Sequence, residues 1–263
     1  MFGDKKYAGI ADAIIFSIAF VFIALFGRLF FVNGGAGWYY FSSLHRLIFG
    51  MIATYDCCKL YDVNLGQVFS LKNWKFALIA GSGFLIYGIA YTVTLCVGVK
   101  EFVGLTVPVV IAHIFLQQIT TGFYEETVYR GLILGGYFEQ EDRSWKKRVV
   151  YAFVSFVIFG SIHLIDGNWQ TFVFTGSIGF AFAAIYLKSH NIFIPMLLHF
   201  VYDVAANLSY YVEFDQTELF SRMVSLLDPI LVLMFVISLI VIIMPHSKDE
   251  ALEEQVEEEY DYI

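Results

Sequence analysis

Between Lys6 and Met244 charged residues are so sparse that the chain divides into eight long apolar stretches. They run over roughly 8–32, 38–58, 76–98, 106–138, 149–165, 169–187, 191–211 and 224–244. A helix rises about 1.5 Å per residue, so about 20 apolar residues cross the roughly 30 Å hydrocarbon layer of a bilayer. Lipid offers the backbone no hydrogen-bond partners, and segments of this kind can only be helices that satisfy their own amides. The composition agrees. Hydrophobic residues make up 59% and charged residues 15%, against about 45–50% and 25% in soluble domains. The expected fold is therefore an all-α, polytopic transmembrane helix bundle of about eight spans. Disorder is excluded over most of the length, because the apolar content is too high. A nucleic-acid partner is excluded as well: the net charge is −8 and no basic stripe exists. Cys57, Cys58 and Cys96 form neither a disulfide framework nor a paired metal motif.

Only Asp4, Lys5 and Lys6 precede the first stretch closely, and no small-residue cleavage site follows it. It reads as a retained helix and not as a signal peptide. With the N-terminus inside, the inside segments carry Lys5, Lys6, Lys59, Lys72, Lys75, Arg143, Lys146, Lys147, Arg148, Lys188 and Lys248. The outside loops carry only Lys100 and Arg222. By the positive-inside rule both termini are expected in the cytoplasm of a multi-pass cell-membrane protein. Residues 1–245 read as one membrane domain. Residues 246–263 read as an acidic cytoplasmic tail, holding eight of the 24 acidic side chains.

Ionisable side chains at membrane depth are costly and default to paired or functional groups. Three clusters stand out. Glu125 and Glu126 adjoin, and Arg130 is one turn on from Glu126; residues i and i+4 share a helix face, so Arg130 is expected to neutralise Glu126. Glu125 points about 100° away and is left for another role. Phe159 and His163 share the same spacing, so the ring can wall the imidazole. His199, Asp203 and Asn207 form a polar stripe on an apolar helix. Counted from the expected cytoplasmic ends, Glu125, His163, His199 and Asp203 lie roughly 20, 21, 12 and 18 Å deep. Three helices thus bring polar groups to overlapping depths.

Other residues fit less well. His113 is about 18 Å before Glu125 along one helix, so it is expected outside the site. His45 and Arg46 can contact a substrate or simply line a cavity. Cys57 and Cys58 read as ordinary juxtamembrane residues, with acylation as the alternative. Gly131 and Gly135 form a small-xxx-small pair suited to close helix packing.

A protected set of Glu, His, His and Asp suits hydrolysis by an activated water. Glu125 with His163 can hold and deprotonate the water. His199, with Asp203 or Asn207, can stabilise the developing oxyanion. Neither GxSxG nor HExxH occurs. The preferred reading needs no cofactor, while Glu125, His163 and His199 remain a possible Zn²⁺ ligand set. The rivals are a non-catalytic scaffold or immunity protein that binds peptide, and a proton-coupled transporter; the latter often shows an inverted repeat, and none is visible by eye.

The ordered motifs Glu-Glu-x-x-x-Arg (Glu125–Arg130), Phe-x-x-x-His (Phe159–His163) and His-x-x-x-Asn/Asp (His199–Asp203) resemble those of the CPBP family. These are the CAAX-protease and bacteriocin-processing, Abi-type, intramembrane endopeptidases. The resemblance covers about residues 105–210. It implies a glutamate-type or metal-dependent endopeptidase of membrane-associated proteins or peptides, including CAAX proteins, pheromone precursors and bacteriocin-related peptides, the last in maturation or self-immunity. It implies that Glu125 and His163 activate water, that His199 and the last motif position form the oxyanion site, and that Arg130 anchors Glu126. Many members have Asn where this chain has Asp203. An ionised Asp cannot donate a hydrogen bond, so Asp203 can orient His199, act protonated, or leave the donor role to Asn207. The partners implied are a peptide or membrane-anchored protein and the lipid bilayer.

Overall fold

The computed structural model describes residues 5–141, 143–165, 167–214 and 217–245. The acidic tail expected over 246–263 lies outside the described residues. Helix α1 spans Lys5–Gly27, α2 Ala36–Tyr61, α3 Trp74–Gly98 and α4 Val107–Phe138. They are followed by α5 (Trp145–Ile162), α6 (Trp169–Ser189), α7 (Phe193–Leu208), α8 (Thr217–Ser225) and α9 (Asp228–Ile243). The bundle is helical throughout, with one addition. Strands β1 (Val99–Phe102) and β2 (Val212–Phe214) pair antiparallel. They set Glu101 opposite Glu213, an unfavourable like-charge pair that the Lys100–Glu213 ion pair at 3.7 Å offsets.

Helices α1, α3, α4, α6 and the stretch Ser221–Ile243 around α9 are long and apolar enough to cross a membrane. The expected second, fifth and seventh crossings are helical but fall short of that measure. Helix α2 carries Arg46, Asp56 and Lys59, α5 begins with Lys146, Lys147 and Arg148, and α7 has 16 residues. The first helix is also shorter than expected: it stops at Gly27, and Arg28 lies beyond it with its guanidinium over Trp38.

Hydrogen bonds between helix ends gather one face of the bundle. Tyr151 donates to the Lys6 carbonyl at 2.7 Å, and Asn73 to the Ser189 carbonyl at 3.2 Å. Asn191 donates to the Lys72 carbonyl at 3.0 Å, and Arg148 Nε to the Ile242 carbonyl at 2.9 Å. The starts of α1, α3, α5 and α7 therefore meet the ends of α6 and α9. The β1–β2 ribbon joins the far end of α3 to the far end of α7. Consecutive long helices thus run in alternating directions. The lysines and arginines expected inside that fall among the described residues cluster at the first face.

Helix α6 is the central element, with every residue from Ile178 to Ser189 buried. Helices α1 and α9 present Ile14, Ile15, Phe22, Val232 and Leu233 outward, as lipid-facing helices do. Helix α4 is irregular. It widens to i→i+5 turns at Val110–Gln117 and Thr127–Leu132, the kind of widening often found at functional sites. Local side chains support both segments. Gln118 donates its amide to the His113 carbonyl at 2.7 Å, and Thr127 its hydroxyl to the Phe123 carbonyl at 2.7 Å. Tyr61 donates to the Leu132 carbonyl where the second segment ends.

Tyr61 also settles the small-residue pair. Its ring lies against Gly135, where an added Cβ would collide with it; at Gly131 the nearest atom to such a Cβ, Cys57 Sγ, is 3.7 Å away. Gly135→Ala is therefore expected to destabilise by about 1–3 kcal/mol, the usual cost of overpacking. Gly131→Ala is expected to be neutral. Thermal unfolding of the two variants in detergent checks the contrast.

Candidate active site

Glu126 lies on α4 and is fully buried, as is Arg130 one turn on. Arg130 Nε pairs with Glu126 Oε2 at 3.0 Å. Arg130 Nη2 donates to the Gly179 carbonyl of α6 at 3.2 Å. The guanidinium also lies over two rings, 5.0 Å from the centre of Phe159 and 5.5 Å from that of Phe182. A buried charge requires such compensation, since removing an ion from water costs several kcal/mol; Arg130 Nη1 has no hydrogen-bond partner among the described residues. The other Glu126 oxygen, Oε1, accepts from His199 Nδ1 at 2.8 Å. One carboxylate thus ties α4 to α7, while its cation ties α4 to α5 and α6.

That bond sets the imidazole's orientation. Nδ1–H donates to Glu126, and Nε2 turns to the opposite side. There it meets Glu125 Oε2 at 3.6 Å and Asp203 Oδ2 at 3.4 Å. The Glu125 side chain keeps 13% of its surface exposed and Asp203 17%, whereas Glu126 keeps none. Two adjacent carboxylates therefore have separate environments, one sealed by an arginine and one reachable. Gly122 makes this approach possible. A Cβ there would stand 3.2 Å from the Met196 carbonyl and 3.8 Å from His199 Cβ, so a larger residue would force α7 and its histidine away.

His163 is placed differently from the expectation. Helix α5 begins at Trp145 and ends at Ile162, so His163 caps its far end instead of lying within it. Its Nδ1 is 2.8 Å from the Phe159 carbonyl. A carbonyl only accepts, so Nδ1 carries the hydrogen and Nε2 of the neutral ring is left as an acceptor. Phe159 stands 4.8 Å from the His163 ring centre and 6.1 Å from that of His199. The phenylalanine is the wall shared by both imidazoles and Arg130. His163 is also near enough to act on the charge of Asp203.

Asn207 continues the α7 stripe, but its amide is engaged on both sides. Nδ2 donates to the Asp203 carbonyl at 2.8 Å, and Oδ1 is 2.9 Å from His113 Nε2. His113, expected not to join the site directly, bonds Asn207. It reaches Asn207 because helix packing brings α4 and α7 together, a contact invisible along α4 alone. His113 is further held by the Tyr211 hydroxyl at 2.6 Å and stacks on Tyr39 with centres 3.9 Å apart. Arg46 of α2 is the other addition, lying within electrostatic reach of Glu125 and Asp203. Cys57 is buried and Cys58 half-buried.

The possible zinc set fares as follows. Among the described residues no three His, Cys, Asp or Glu side chains are arranged around one metal position. His199 and His163 bond through Nδ1 to Glu126 and to the Phe159 carbonyl, which leaves Nε2 as the remaining ligand atom of each ring.

Residues 106–205 match the family profile of Rce1-like type II CAAX prenyl endopeptidases. No curated protein and no solved structure shows significant similarity to the chain. The match spans α4 to α7 almost to its end and contains all three motifs. Over this segment, less than half of the chain, the protein is similar to Rce1-like type II CAAX prenyl endopeptidases, and its long apolar helices mark a membrane protein.

Removing one partner of a buried ion pair costs about 3–5 kcal/mol, because the other charge is stranded. Arg130→Met is expected to lose stability on that scale. The double variant Glu126→Gln/Arg130→Met is expected to recover part of it. Unfolding of both proteins in detergent measures the difference.

Proposed function

We propose that this Rce1-like chain is a multi-pass cell-membrane endopeptidase. It cuts peptides or membrane-anchored proteins with a water activated by Glu125 and His163. The observation that carries this reading is the division of labour around His199: Glu126 is sealed by Arg130, while Glu125 and Asp203 remain reachable on the Nε2 side. The clustering of lysine and arginine at the end where α4 finishes favours a cytoplasmic orientation for that face. Both termini then lie inside after eight passes.

In this mechanism a water lies between Glu125 and the acceptor nitrogen of His163. Glu125 takes one water proton as the oxygen attacks the scissile carbonyl carbon. A C–O bond forms, and the carbonyl π pair moves onto its oxygen. Three carboxylates surround His199 and are complementary to its imidazolium. In that form Nε2–H can donate to the new oxyanion. Glu125 then returns its proton to the amide nitrogen as the C–N bond breaks, leaving a carboxylic acid and an amine. Asp203, an acceptor, orients His199. No step needs a cofactor. Peptide maturation or bacteriocin self-immunity suits this chain as well as cleavage of prenylated CAAX sequences, since only the shared chemistry of an amide bond is used.

General-base catalysis contributes about 10²–10⁴-fold. Glu125→Gln, which keeps size and polarity, is expected to lower kcat by that range. The assay is reconstituted protein offered pooled peptides, prenylated and unprenylated, with products read by mass spectrometry. Equal product from Glu125→Gln and from the natural protein would overturn the reading.

A further inference from the structure

Three carboxylates converge on one imidazole, yet only Glu126 has a guanidinium in contact. Glu125 and Asp203 share the other side of the ring. Two further carboxylates in a desolvated site call for a second cation. Helix α2 supplies one in Arg46. Its Nη1 donates to the Ser42 hydroxyl and, at 3.4 Å, to the Ser42 carbonyl. Its guanidinium carbon is 5.2 Å from the centre of the Phe20 ring, which in turn stacks on Tyr124, the neighbour of Glu125, at 4.5 Å. Arg46 Nε is buried and has no acceptor among the described residues. A buried N–H without a partner is unfavourable unless a bound group supplies the acceptor. Arg46 lies within electrostatic reach of Glu125 and Asp203, and among the described residues it forms an ion pair with neither.

The donors available to an oxyanion can be counted off. Ionised Asp203 only accepts. Asn207 has one of its two amide N–H groups bonded to the Asp203 carbonyl and its oxygen turned to His113, so at most one N–H of it remains. His199 offers a single Nε2–H. We propose that Arg46 is the second oxyanion donor, its guanidinium N–H meeting the carbonyl oxygen as the π pair moves onto it. Its charge then offsets Asp203 and Glu125 in the same step. Ser42 and Phe20 hold the guanidinium in place before substrate arrives. This proposal deepens the peptidase reading and rests on the same site.

The test uses the full-length protein in detergent. The probes are a phosphinic pseudopeptide, whose tetrahedral anionic centre replaces the scissile carbonyl, and the same peptide with a reduced methylene-amine link that has no oxygen. Arg46→Gln is expected to bind the phosphinic probe at least tenfold more weakly and to leave the reduced probe unchanged. With a cleavable peptide it is expected to lower kcat by about 10²–10³-fold, the usual loss for one oxyanion donor, with KM within threefold. Arg46→Lys is expected to retain part of both effects. Ser42→Ala, which removes one anchor of the guanidinium, is expected to show a smaller loss in the same direction and serves if Arg46→Gln does not fold. Equal phosphinic affinity in Arg46→Gln and the natural protein would overturn the proposal. So would a change confined to KM, or failure of the natural protein to prefer the phosphinic probe. Selective, Arg46-dependent binding of the phosphinic probe without any turnover would sink the peptidase reading and leave the anion site standing.

Discussion

The arrangement of the site depends on one fully buried carboxylate. Glu126 holds Arg130 with one oxygen and His199 with the other. Arg130 could not remain buried without it, since an uncompensated buried charge costs several kcal/mol. The pairing therefore requires α4, α5, α6 and α7 to meet at one level. Arg130 extends the requirement to the Gly179 carbonyl and to the faces of Phe159 and Phe182. The imidazole's orientation follows, and with it the position of the opening that Glu125 and Asp203 line.

Separation of roles between neighbouring carboxylates follows from helix geometry. Residues i and i+1 are about 100° apart, so Glu126 can be sealed while Glu125 stays partly accessible. The wider turn at Thr127–Leu132 begins directly after the pair and carries Arg130. Small residues complete the arrangement: Gly122 lets α7 come close to α4, and Gly179 offers its carbonyl to Arg130. Substituting either would change the spacing of charged groups before it changed their identity.

Much of this was legible in the sequence, because its signals are local. Apolar stretches of about 20 residues forecast the helices, and i,i+4 spacing forecast the Glu126–Arg130 pair and the Phe159–His163 wall. What escaped was non-local. His113 finds its partners Asn207 and Tyr211 on α7 and the turn after it, contacts that distance along α4 does not show. Arg46 was visible as an intramembrane cation, but the residues it acts on are far along the chain. Helix ends were uncertain for a different reason: α5 starts with Trp145 and a basic run that hydropathy places outside the membrane. Its helix therefore begins before the expected start, and because it ends at Ile162, His163 is its cap. The β1–β2 ribbon was missed because two strands of four and three residues leave no periodic signal.

The most direct measurement of the central claim is a structure of Glu125→Gln with an uncleaved peptide bound. The account predicts that the scissile carbonyl carbon lies within about 3.5 Å of the position a water would take at residue 125, with its oxygen toward His199 and the carbonyl flanked by Phe159. A peptide seated elsewhere, for example in the 620 Å³ apolar groove between α6 and α9 lined by Phe174, Ile178 and Leu231, with the Glu125–His199 region closed to it, would contradict that claim.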